Sequence, residues 1–133
     1  MCLIVKKKWH KDGKPLIAKE DIPVFKVLHK NGRRGLETPV RGYPIVFIDG
    51  KATMESELFA VKAIGSKNLY LCYRGIHAYL NRLTSRALRW DYPRRNTFIY
   101  KAIIPKGAEY LIGVTGDIVS TKMIIFDKRC HER

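Results

Sequence analysis

The chain has 133 residues, 46% hydrophobic and 29% charged, enough for one domain with a core of its own and too apolar for a disordered segment. Its 26 lysines and arginines against 12 acids give a net charge of +14, which calls for an anionic complement and says nothing of fold. No apolar run reaches the roughly 20 residues of a bilayer span, the opening MCLIVKKK reverses the order of a secretory signal, and three cysteines without metal-ligand spacing suit a reducing cytosol.

Taken in order, Cys2–Lys7 reads as a first strand by its alternation. The polar stretch Trp9–Pro15 follows, with the turn pair Asp12-Gly13. Trp9 stands among Lys6, Lys7, Lys8, His10 and Lys11. That setting suits a base-stacking or membrane-surface contact, or a ring folded back on the sheet. Ile22–Leu28 (IPVFKVL) is strand-like, with Pro23 marking an edge or entry point. Asn31-Gly32-Arg33-Arg34-Gly35 is a glycine-bracketed basic loop. Arg33 and Arg34 there could clamp a phosphate, or the loop could be a plain hairpin tip.

Val40–Ile48 is strand-like but broken by Gly42 and Pro44, and Thr53–Ile64 permits either a short helix or a strand. Leu69–Tyr73 is a short apolar run. Over Ile76–Trp90, Ile76, Tyr79, Leu80, Leu83, Ala87 and Trp90 recur at three- and four-residue steps, which predicts a helix. Arg82, Arg86 and Arg89 share its other face, and Arg94 and Arg95 continue the stripe beyond Pro93. Eight basic residues against Asp91 alone lie between Arg74 and Lys106. Guanidinium groups grip phosphate two-pronged and stay charged, and Trp90 and Tyr92 among them could stack on a base. His77, at the expected helix start, is a candidate phosphate contact or general acid, or a histidine bonded to its neighbours.

Asn96–Gly113 (NTFIYKAIIPKGAEYLIG) carries two β-prone runs, Thr97–Ile104 and Ala108–Ile112, interrupted by Pro105-Lys106-Gly107. The last strand is Met123–Phe126, with a possible start near Ile118, and Lys128–Arg133 is a basic tail after a single domain over 1–127. The expected fold is α+β, an antiparallel or mixed sheet of about five to seven strands with one main helix. No zinc-finger spacing, RNP-type aromatic motif or helix-turn-helix is present, so the pattern supports contact with a backbone or a nucleotide, not sequence-specific readout. No cofactor, metal or catalytic residue is called for.

MCLIVKK at 1–7, AKEDIPVFKVL at 18–28, GIHAYL at 75–80 and IPKGAEYLIG at 104–113 together resemble a small family found in tailed-phage genomes and gut Bacteroidetes-type bacteria. The resemblance implies an intracellular phage or bacterial protein, and for a phage protein, interference with a host nucleic-acid or nucleotide-signalling system. It implies no particular chemistry. The Met-Cys-Leu-Ile opening also looks like that of N-terminal-nucleophile hydrolases, in which removal of Met1 would make Cys2 a nucleophile activated by its own free α-amine. An ADP-ribosyltransferase-like pattern would enlist His29, Tyr79 and Glu109, although Glu109 follows the Pro-x-Gly turn instead of preceding it. A small enzyme of either kind is thus the alternative to a binding protein.

Overall fold

A computed structural model of the chain describes residues 3–6, 8–31, 35–38, 43–62, 70–81 and 97–130. Their regular structure is nearly all strand: β1 (Leu3–Ile4), β2 (Leu16–Ile17), β3 (Ile22–Asn31), β4 (Gly35–Glu37), β5 (Pro44–Ile45), β6 (Lys51–Glu55), β7 (Phe59–Lys62), β8 (Tyr70–Arg74), β9 (Ile76–Tyr79), β10 (Thr97–Ile104), β11 (Glu109–Ile112), β12 (Asp117–Ser120) and β13 (Lys122–Arg129). The one helical turn among them is the 3-10 turn Lys11–Gly13. Every described strand pair is antiparallel.

The expected α+β fold with a main helix over about 76–90 is therefore corrected, over the described residues, to an all-β one. Ile76–Tyr79 is a strand, and residues 82–90 lie outside the described residues. Four residues fit either period. Ile76, Tyr79 and Leu80 satisfy a helical stripe, but Ile76 and Ala78 also alternate with His77 and Tyr79. Long-range pairing decides between the two. Ala78 lies opposite Ile118 and Tyr79 opposite both Asp117 and Phe25, burying Ile76 and Ala78 in the core.

The frame is a single bent ladder. β3 pairs with β10 from Thr97 opposite His29 to Ile104 opposite Ile22. The same register continues past the corner, with Glu109 opposite Ile17 in β11 and β2. At the corner Ala18 N–H donates to the Ala108 carbonyl (2.8 Å), Gly107 N–H to the Ala18 carbonyl (2.8 Å) and Lys106 N–H to the Asp21 carboxylate (2.9 Å). Pro105 and Gly107 thus bend one long strand and do not close a hairpin. β11 then pairs with β12, β12 with β9, and β9 with β3. That circuit returns to the strand it left, so the sheet curls back on itself around one core.

β13 and β6 extend the sheet beyond β10, and β4 and β5 fold from the end of β3. The concave face holds Val24, Leu28, Ile76, Ala78, Ala102, Ile104, Ile118, Met123 and Ile125, and Phe47 stacks on Tyr100 at 5.7 Å. Strand β10 serves two faces, as its alternation predicts: Phe98, Tyr100, Ala102 and Ile104 point inward, while Ile99 packs with Val27 and Tyr79 on the outer side. A second sheet, β1-β8-β7, covers part of that outer face through Val5, Cys72, Leu111 and Val119. Gly75 passes the chain from the small sheet to the large one at φ +138. A Cβ there would lie 2.7 Å from Leu58 Cδ2 and 3.1 Å from Val119 Cβ, so only glycine fits without a shift. β13 runs through Lys128 and Arg129, which therefore belong to the sheet and not to a tail.

Candidate functional site

The turn between β1 and β2 presents Trp9. Lys6 N–H donates to the Ile112 carbonyl (2.7 Å) and Trp9 N–H to the Lys6 carbonyl (3.1 Å). Gly13 N–H then reaches the His10 carbonyl (3.1 Å) and Lys14 N–H the Lys11 carbonyl (3.1 Å). The bracing residue is His10, 1% exposed. Its Nε2 accepts from Ile112 N–H at 2.8 Å and its Nδ1 lies 2.9 Å from the Lys14 carbonyl. A carbonyl can only accept, so Nδ1 carries the proton and the ring is neutral. Burial lowers the His10 pKa, against a smaller upward pull from the Lys14 carbonyl. Gly13, at φ +70, lies flat on the Tyr70 ring, where a Cβ would come within 2.5 Å of Cδ1.

On this braced turn Trp9 is 51% exposed, and Lys8, Lys11 and Lys14 are exposed beside it. Half an indole left in water forgoes on the order of 2–3 kcal/mol of burial. That is a large cost to carry on a segment so firmly held.

Three further polar features lie on or beside β9. His77 Nε2 is 3.4 Å from Asp117 Oδ2, and Thr115 donates to Asp117 Oδ1 at 2.8 Å. Burial alone would raise the Asp117 pKa, but the bonds from His77 and Thr115 outweigh it and hold the carboxyl below its usual value. A similar pair joins His29 Nδ1 to Glu37 Oε1 at 3.4 Å. Lys26 is the third feature. It is 5% exposed, directly opposite Tyr100, and points into the core with its ammonium bonded to the His77 carbonyl. Burial lowers its pKa from 10.5 to about 8. Among the described residues β3 and β9 are joined only by Phe25 opposite Tyr79, so Lys26 supplies a donor where the ladder is thin.

Of the residues singled out by sequence, Trp9 is half exposed on its turn. His77 sits inside a strand, not at a helix N-terminus, and its ring faces Asp117. Arg33, Arg34, Arg82, Arg86, Arg89, Trp90, Tyr92, Arg94, Arg95 and Cys2 lie outside the described residues. The arginine-bearing segment is bracketed by Asn81, after β9, and Thr97, at the start of β10, two strands that flank β3. His29, Tyr79 and Glu109 all belong to the outer face, but Glu109 and His29 are three strand positions apart, about 14 Å along the sheet. Glu109 is exposed and its N–H donates to Thr121 Oγ1.

Sequence reasoning passed over His10 and Lys26. Lys26 had a signal, since it shares the period-two face of Val24 and Leu28. His10 had none, because Ile112 is 102 residues away. The charge balance is also informative. Among the described residues the only ion pairs that engage a lysine or arginine are Arg74–Glu57 and Lys122–Glu55, both 3.8 Å and exposed. Among the described residues no helix is long and apolar enough to cross a membrane, and no cluster of three metal-ligating side chains occurs. No family model, curated protein or solved structure matches the chain.

Proposed function

We propose that the chain is a non-enzymatic binding protein for a nucleic acid or nucleotide, acting in the cytoplasm of a bacterium or of a phage-infected cell. The observation that carries this is the uncompensated charge: +14 overall, with most exposed lysines, among them Lys8, Lys11, Lys14, Lys30, Lys101 and Lys106, lacking a carboxylate partner among the described residues. Arg82, Arg86, Arg89, Arg94 and Arg95 add the densest run of guanidinium groups in the sequence. Such a surface binds phosphate by counterion release, without base specificity. An acidic protein surface would meet the same charge but would not give the salt slope of a polyanion.

The test is a salt titration with labelled DNA and RNA strands. Log K should fall linearly with log salt, and Arg82→Ala/Arg86→Ala should flatten the slope by about 1.4 on single strands, roughly 0.7 for each lost phosphate contact. No binding at about 50 mM salt, or a flat dependence, would remove nucleic acid as the partner.

A further inference from the structure

We propose that the Trp9 turn is a stacking site for one unpaired nucleobase, so that the protein binds single-stranded nucleic acid in preference to duplex. This rests on the nucleic-acid reading above and adds a site and a strand preference to it. Trp9 is a half-exposed indole on a turn that is held at both ends and through its middle. His10 is buried, with both ring nitrogens engaged by Ile112 and Lys14, and Gly13 is seated on Tyr70. The ring is thus displayed by a rigid turn and not by a fraying end, which cuts the ordering cost of binding.

Between Lys8 and Lys14 the turn carries three exposed lysines against one acid, Asp12, and Trp9 is its single large apolar side chain. An aromatic plane beside several cations matches a base flanked by its own phosphates, and any base will serve because each has a π-face. Inside a duplex both faces of a base are covered by its neighbours, so only an unpaired base can lie on the indole. A membrane surface would also accept a tryptophan among lysines, but an inserting segment needs a broad apolar face, and one ring does not make one.

The experiment is fluorescence anisotropy with a labelled oligothymidylate, the matching oligouridylate and a duplex of equal length, on the wild-type protein and on Trp9→Ala and Trp9→Phe, each first shown to melt like the wild type. Trp9→Ala should weaken single-strand binding about tenfold, within the range for loss of one stacked base, and leave the duplex within about twofold. Trp9→Phe should keep most of the affinity. Equal weakening of both forms, or of neither, overturns the stacking site while leaving the phosphate reading intact. A wild-type protein that binds no oligonucleotide overturns both. Loss of binding to vesicles of anionic lipid in Trp9→Ala, with oligonucleotide binding unchanged, assigns the turn to membranes instead.

Discussion

Replacing Lys26 with methionine removes a buried charge and keeps the length of the side chain. In the folded protein the Lys26 pKa falls from 10.5 to about 8 through burial, a drop of about 2.5, and each pKa unit is worth 1.36 kcal/mol. A depressed lysine pKa means that the folded state resists protonation. The stability is therefore fully present above 10.5, is lost as pH falls toward 8, and stays lost below it. At pH 7 the buried ammonium costs about 3 kcal/mol, offset in part by its bond to the His77 carbonyl.

Lys26→Met relieves that penalty but leaves the carbonyl without its donor, at about 1–3 kcal/mol. The variant should lie between neutral and about 2 kcal/mol more stable at pH 7. Urea unfolding at pH 7 and pH 10 separates the two contributions. The lost hydrogen bond is the same at both, while most of the charge penalty vanishes by pH 10. The variant's stability relative to wild type should thus fall by about 2–3 kcal/mol across that range. Tyr100, directly opposite, has its pKa raised by burial, against Arg129 and with Asp127, and its titration enters wild type and variant alike and so drops out of the difference. An unchanged difference at the two pH values would mean that Lys26 is not a desolvated ammonium.

Two further predictions concern the Trp9 turn. His10 has a pKa held below 6.5 by burial, so its contribution is complete above that value and is lost as pH falls through the lower folded pKa. His10→Gln should cost about 1–2 kcal/mol at neutral pH and abolish this part of the acid-side slope, measured by urea unfolding between pH 7 and 5. Gly13→Ala combines a positive φ with a methyl 2.5 Å from the Tyr70 ring. It should destabilise by about 2–3 kcal/mol in thermal melts, and a loss near zero would show that the turn yields easily.

The longest strands were legible locally, but thirteen are described where five to seven were expected. Thr97–Ile104 forms with the bounds its alternation implies, and Pro105 and Gly107 break the chain where Pro and Gly chemistry demands. What they break was not legible. They bend one strand around a corner, because Ala18 and Ile17 take up the pairing on the far side in the same register. Ile76–Tyr79 was misread for the same reason. Its local pattern fits two periods, and its partners Ile118, Asp117 and Phe25 are distant in sequence.

For the site, composition already set the sign and excess of charge, since Lys and Arg are charged wherever the fold puts them, and it marked Trp9 as an aromatic among cations. Whether that ring is displayed or tucked away depends on His10 finding Ile112, and whether Lys26 meets water or a carbonyl depends on β9 closing beside β3. Charge and period are properties of neighbours along the chain and can be read from it. Burial, protonation and the direction a side chain faces are set by partners brought together in space, and only the tertiary structure decides them.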